Sequence, residues 1–464
     1  MENIDFEATV KSIKHAGKFF SPDFPVHISR APGRLDLMGG NDDYTGGLVF
    51  ESTIKEATYA AAQLREDGLV VLRNKTVTDA GWQGEIIVNL EDLSDENHVK
   101  AMVNRSSSVR WTAYVLGNLH YLKKKFGISK GIQLYMESSV PLNRGVSSSA
   151  AIEVAVMKSS AAAYGIDLSG VELALACQWV ENVIADSACG IMDQIAVVTG
   201  KKGHVMPLVC QPCIPEPLIT LPDELQVWGI DSGVSHQVSG IEYEAARAAA
   251  FMGYKMVCDF EGVEIKLDTS SDISRYTDHV WNGYLANIPR SVFYQKYEKR
   301  LPETIRRNQY LEKYQIHVDP FTPLKDEVNY NVRANTRYAV EENQRVQLFS
   351  ELSRGASVSP SERAFGLMGD LMYQSHYAYN ECGLGAEATD FLVNVCRKEG
   401  AENGIYGAKI TGGGAGGTVA ILGKKSAGPT IERIFKTYAE AKLGEPYLFE
   451  GSSDGADSYG IVTI

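Results

Sequence analysis

Residues 48–75 alternate between apolar and polar positions (Leu48-Val-Phe, Ala57-Thr-Tyr-Ala, Leu69-Val-Val-Leu), and this period of two predicts strands. From 109 to 126 the spacing changes. Trp111, Tyr114, Val115, Leu119 and Leu122 recur every three or four residues, which predicts a helix. A short apolar run over 132–136 predicts another strand. It leads through Pro141-Leu-Asn-Arg-Gly145-Val-Ser147-Ser148-Ser149 into a segment whose Ile152, Val154, Ala155, Val156 and Ala161 to Ala163 leave almost no polar face. A helix of that kind is buried rather than amphipathic. The pattern breaks over 214–222, where three prolines fall within nine residues, so a domain boundary is expected there, dividing the chain into 1–215 and 216–464. Residues 260–345 are polar and rich in Arg, Tyr and Asn, which predicts helices and connecting loops. Strands are expected at 406–410 and 419–422, on either side of a glycine-rich loop.

A chain of 464 residues exceeds one hydrophobic core, which agrees with two domains. Apolar residues make up 44% and charged residues 22%, ordinary for a globular protein. The net charge of -13 argues against nucleic acid and anionic membranes as partners. The first residues carry neither a basic nor an apolar leader region, and no apolar run is long enough to span a bilayer. Seven scattered cysteines read as reduced thiols, so a cytoplasmic location is expected. Cys210-Gln-Pro-Cys213 has metal-type spacing but no second pair, and packing is the simpler reading.

Four segments carry candidate chemistry. Arg30-Ala-Pro-Gly-Arg34-Leu-Asp36-Leu-Met-Gly39-Gly40-Asn41-Asp42-Asp43-Tyr44 and the glycines that follow place a permanent cation, carboxylates and glycines in one loop. Such a loop is either a surface turn or a cradle for a small polyhydroxylated ligand. The turn 141–149 opens a helix with consecutive serines, which either cap it or form an anion site. Glu181 and Asp193 lie near one another in sequence, and apolar neighbours flank Asp193. A carboxylate so placed needs a partner, and Arg34 is the candidate, in a structural ion pair or a catalytic one. The loop 411–418 (Thr-Gly-Gly-Gly-Ala-Gly-Gly-Thr) is either floppy or wraps a phosphate with backbone amides. Together these supply what phosphoryl transfer needs: positioning, a metal ion and charge stabilisation.

In order and in content, these motifs resemble the GHMP small-molecule kinases of the galactokinase branch over nearly the whole chain. Cys189-Gly-Ile-Met-Asp-Gln194 matches galactokinases outright. Gly33-Arg-Leu-Asp-Leu-Met-Gly-Gly, Trp228-Gly-Ile-Asp-Ser-Gly233 and the phrase from Met372 to Gly383 look most like the kinase domains of L-arabinokinases. The resemblance implies an α+β fold of two domains with the active site in the cleft between them. It implies an ATP- and Mg²⁺-dependent kinase acting on O1 of a monosaccharide. Arg34 and Asp193 would be catalytic, and Ser149 and Glu181 would hold Mg²⁺. Gly145, Ser147, Ser148, Ser149, Gly413, Gly414 and Gly416 would bind the phosphates of ATP. Trp111 and Tyr114 would form part of the adenine pocket or simply helix core. Asp36, Gly40, Asn41, Asp43, Gly190 and Tyr243 would make up the sugar side.

The departures bear on the sugar. Galactokinases carry Glu where this chain has Gly40, and in that family the Glu reaches the 6-hydroxyl. A sugar lacking C6 loses nothing there, which favours L-arabinose over galactose, with galacturonate a further alternative. A non-catalytic sugar sensor is the rival of another class, disfavoured by the intact serine turn. Asp36 replaces the family's Asn, with no reason visible in the sequence. Arg144 either adds charge near the phosphates or points to solvent.

Overall fold

The computed structural model describes residues 5–234, 240–270 and 273–464. Its first sheet is built on the two long strands that the alternation marks, His27–Met38 and Leu48–Arg65, paired antiparallel. The second of these divides its length between two neighbours. Its first residues pair with His204–Val209 and its last with Gly131–Ser138. Strand Leu69–Asn74 joins Gly131–Ser138 in parallel, and Glu85–Asn89 forms the edge. Helices Ala113–Phe126, Ser148–Ala163, Gly170–Val183 and Met192–Thr199 cover this sheet. Ser148–Ala163 lies against both long strands and is buried on nearly all sides, as its lack of a polar face requires.

The second sheet runs Ile405–Ile410, Thr418–Lys424, Leu225–Asp231, Tyr447–Glu450, all antiparallel. Helices Glu362–Cys382 and Glu387–Glu399 pack on it, and Val332–Val358 packs on the former. The proline-rich stretch contributes two short strands, Ile214–Pro215 and Ile219–Thr220, that still pair with His204–Val209. The final strand, Val462–Thr463, returns to His27–Ile28. The change from one sheet to the other therefore falls just after Thr220, and the chain's end belongs with the first sheet. Segment 260–345 carries two short strand pairs besides its helices, because strands of two or three residues leave no readable period. Its Trp281, Phe293, Tyr297 and Tyr310 share a core with Tyr44 and with helix Ile241–Glu261.

A further core joins the two sheets. Leu37, Met38 and Phe50 of the first meet Phe349, Met368, Met372 and Ala420. The C-terminal half of His27–Met38 is thus buried on both faces, so its polar residues must find partners inside the protein.

Candidate active site

Arg34 is 3% exposed and sits where the two sheets meet. Its Nε and Nη2 both donate to Asp193 Oδ1, at 2.8 and 2.7 Å, and its Nη1 donates to the Gly145 carbonyl at 2.8 Å. Asp193 stands in the first turn of helix Met192–Thr199, where free N–H groups favour a negative charge. Burial pulls the Arg34 guanidinium down, but nearby carboxylates, Asp193 foremost, outweigh it and hold it above the usual arginine range.

A cavity of about 530 Å³ runs past this pair. One end is lined by Asn41, Asp43, Tyr243 and Gly413, the other by Trp82, Trp111 and Tyr114, with Gly145, Ser147, Ser148, Ser149 and Glu181 between them. At the first end, burial foremost and then the charge of Asp193 raise the Asp43 carboxyl to about 6. Gly190 backs directly onto Asp43, and any Cβ there would overlap that carboxylate. The Tyr243 hydroxyl donates to the Ala188 carbonyl at 3.0 Å. Asn41, at φ +59°, donates from Nδ2 to the Gly413 carbonyl at 3.1 Å and so ties the polar loop to the glycine loop. That glycine loop needs its composition, since Gly412, Gly414, Gly416 and Gly417 all have positive φ.

In the middle of the cavity, Ser147 precedes the helix at φ +58°, and its buried hydroxyl has no partner. The Ser149 hydroxyl hydrogen-bonds Glu181, whose carboxylate also accepts from Gln194 Nε2 at 2.6 Å. Burial, then Asp193, raises Glu181 to about 7. Glu153, fully buried beside it, shares the Gln194 amide at 3.4 Å. At the far end Trp111 Nε1 donates to the Gln83 carbonyl at 3.0 Å, so this indole both lines the cavity and holds the Trp82 loop.

Three residues assigned to the sugar side, Asp36, Gly40 and Gly190, do not line this cavity. Asp36 is fully buried and forms an ion pair with Lys409, which is equally buried, at 2.8 Å. Its backbone N–H donates to Thr411 Oγ1 at 2.7 Å. This pairing is the physical reason for a charged residue at position 36: a lysine inside an apolar strand needs an anion. Gly40 is enclosed by Asp36, Tyr379 and the Gly412 carbonyl, and a Cβ there would overlap the first two. It cannot take a side chain without displacing them. Arg144 lines the same cavity as the serine turn, with its side chain partly exposed. Its Nη1 lies 2.9 Å from Asp231 Oδ2, and its carbonyl accepts from Thr418 Oγ1 at 2.7 Å, so it joins the serine turn to the second sheet. Glu51, Glu153 and Lys409 carried no motif, and Gln194 stood in one, the Cys189 to Gln194 phrase, without an assigned role. Only Lys409, a lone cation between apolar neighbours, left a signal that could have been read.

Three family models match: the GHMP kinases N terminal domain over 113–201, the galactokinase galactose-binding signature over 14–64, and the GHMP kinases C terminal over 358–441. Chloroflexus aggregans galactokinase is 30% identical over 89% of this chain and 88% of its own length. The chain belongs to the GHMP kinase family, in its galactokinase group. Arabidopsis thaliana L-arabinokinase is 33% identical over 98% of this chain, which spans 48% of that protein's length. Among solved structures, Lactococcus lactis galactokinase complexed with galactose shares the fold, with a TM-score of 0.73 at 20% identity over 97% of this chain and 98% of its own. A mevalonate kinase structure follows at 0.56 and 13%, covering 92% of this chain and 99% of its own. Among the described residues no helix is long and apolar enough to cross a membrane.

Proposed function

We propose that this protein is a sugar 1-kinase that transfers the γ-phosphoryl group of ATP to O1 of a monosaccharide, and that L-arabinose is its preferred acceptor. The observation that carries the kinase reading is the Arg34–Asp193 pair on one continuous cavity, with hydroxyl-accepting groups at one end, aromatic walls at the other and the serine turn between them. In this reading Asp193 accepts the proton of the O1 hydroxyl as oxygen attacks the γ-phosphorus. The bond to the β–γ bridging oxygen breaks, and ADP leaves. Arg34 keeps Asp193 oriented and faces the charge that develops on the phosphoryl oxygens. Asp43 accepts hydrogen bonds from the sugar hydroxyls, Tyr243 shapes the wall, and Gly190 leaves the space that the Asp43 carboxylate occupies. Gly145 to Ser149 and the loop around Gly413 present backbone N–H groups to the nucleotide's phosphates.

Ser149 and Glu181 offer adjacent oxygen donors, which suit a hard cation, and they are the residues that would hold Mg²⁺. When bound, the ion would neutralise phosphate charge.

The preference for L-arabinose rests on Gly40. No side chain can stand there to accept a 6-hydroxyl, because Asp36 and Tyr379 fill the space. A sugar with galactose's ring stereochemistry and no hydroxymethyl group forfeits nothing. A hydroxyl left without its acceptor costs about 1–3 kcal/mol, or about 10- to 200-fold in kcat/KM. ATP-dependent ADP release measured with L-arabinose, galactose, galacturonate and glucuronate is the test. Preference for galactose or a uronate would overturn the arabinose assignment, and no release with any of them would overturn the kinase reading in favour of a sensor.

A further inference from the structure

Asp36 and Glu51 are direct partners across the two long strands, so their side chains leave the sheet on the same face. Both are completely buried. Ionised carboxylates placed opposite each other repel, and water is absent to screen them. Around them the buried charges are unequal. Lys409 is satisfied by Asp36 at 2.8 Å, and Arg34 by Asp193 at 2.7 and 2.8 Å. Glu51 is the carboxyl left over. Its nearest cation is Arg34 Nε at 3.5 Å from Oε2, beyond a good hydrogen bond.

Hydrogen bonding points the same way. Among the described residues, Glu51 Oε1, Glu51 Oε2 and Asp36 Oδ1 are buried without a hydrogen-bond partner. An ionised Glu51 would leave acceptors facing acceptors, at the full desolvation cost of each. A protonated Glu51 has an O–H to give, and Asp36 Oδ1 is the unfilled acceptor on the residue opposite.

We propose that Glu51 is a neutral carboxylic acid that donates its proton to Asp36 Oδ1, and that it is a positioning residue for Arg34 in the phosphoryl transfer proposed above. With Glu51 neutral, Arg34 and Lys409 balance Asp193 and Asp36, and the Arg34 fork stays committed to Asp193. With Glu51 ionised, a second anion would compete for Arg34 Nε and draw the guanidinium away from the reacting centre. The charged or titratable groups that face Glu51 are Arg34 and Asp36 on the partner strand, Asp193 on helix Met192–Thr199, Lys409 from the second sheet, and the Cys210 thiol just past strand His204–Val209. Burial first, then Asp36, raise the Glu51 carboxyl well above the usual range, while Arg34 and Lys409 only partly oppose them. A carboxyl held in its neutral form loses its proton as pH rises, so activity that depends on that form declines on the alkaline side. The inference rests on the kinase reading for its catalytic consequence alone. The protonation state itself is independent of that reading.

The test uses the whole chain with Glu51→Gln and Glu51→Leu. Infrared difference spectra of the wild type taken across an alkaline titration should show loss of a protonated-carboxyl C=O band, and that band should be missing in Glu51→Gln. Glutamine, which can donate its amide to Asp36, should keep most of kcat and remove the Glu51-dependent part of the alkaline decline. Leucine, which cannot donate, should lose about ten-fold or more in kcat with the sugar KM little changed. A wild type with no such band, or a glutamine variant with the wild-type band, would overturn the protonation assignment even if the protein proved not to be a kinase. A glutamine variant as impaired as leucine, with the alkaline limb intact, would overturn the positioning role.

Discussion

Asp193→Asn separates the charge at the centre of the cavity from its geometry. Both Arg34 contacts land on the same oxygen, Oδ1, at 2.7 and 2.8 Å. Asparagine retains one carbonyl oxygen that can occupy that place, so the fork should still close. What is lost is the negative charge and the capacity to take a proton. General-base and electrostatic contributions together are worth on the order of 10²–10⁴ in rate, or about 3–5 kcal/mol of transition-state stabilisation. Stability should fall far less. The Asp193 side chain is 19% exposed, and Arg34 keeps Gly145 as an acceptor and Glu51 as a nearby carboxyl able to ionise in compensation. Steady-state kcat, nucleotide affinity by calorimetry and the thermal midpoint should therefore separate, with kcat collapsing while the other two stay close to wild type. Asp193→Ala, which removes the oxygen as well, should also loosen Arg34 and lower the midpoint. An Asn variant that kept a third of wild-type kcat would refute the assignment of Asp193 as proton acceptor. A large drop in its thermal midpoint would refute the claim that geometry survives the substitution.

Two further outcomes follow from other buried carboxylates. Asp43 is raised to about 6, chiefly by burial and next by Asp193. It accepts sugar hydroxyls best when ionised, so sugar KM should rise as pH falls through that value while kcat changes less. An acid limb of equal size in Asp43→Asn would assign the effect to another group. Lys409→Met strands Asp36 with the Gly412 N–H at 3.3 Å as a remaining donor to Oδ2. Breaking a buried pair costs about 3–5 kcal/mol, which corresponds to a fall on the order of 10 °C in thermal midpoint for a domain of this size. Adding Asp36→Asn should recover part of it, and additive losses in the double variant would count against a direct pair.

What could be read from the sequence and what could not divide along physical lines. The long strands, the buried helix and the glycine loop were legible because each is specified by a local period or by residues that only one conformation suits. The pairing of Arg34 with Asp193 was legible too, since a permanent cation in a glycine-rich loop and a carboxylate in an apolar run each call for a counter-charge. Asp36 and Lys409 present the same imbalance, yet 373 residues separate them, and nothing in either segment says which distant strand will supply the counter-charge. The serine turn placed Arg144 near the cavity, but nothing in it announced the ion pair with Asp231 on the second sheet.

Glu51 is the hardest case, and its difficulty is instructive. It follows the polar loop by a few residues, in a strand that reads as apolar, where a single carboxylate looks like an outward-facing position. Its partner is decided by register, and a slip of one residue in a two-residue period would turn it to the other face. The pairing of the two long strands shifts register between Pro32 and Arg34 and again between Asp36 and Met38. Between those irregularities, Arg34 lies opposite Thr53 and Asp36 opposite Glu51. The bulges, invisible in the alternation of side chains, thus bring a third carboxyl beneath the Arg34–Asp193 pair. Substituting Glu51 consequently tests two propositions at once: that the register is as described, and that a neutral acid, rather than an anion, is what Arg34 requires beside it.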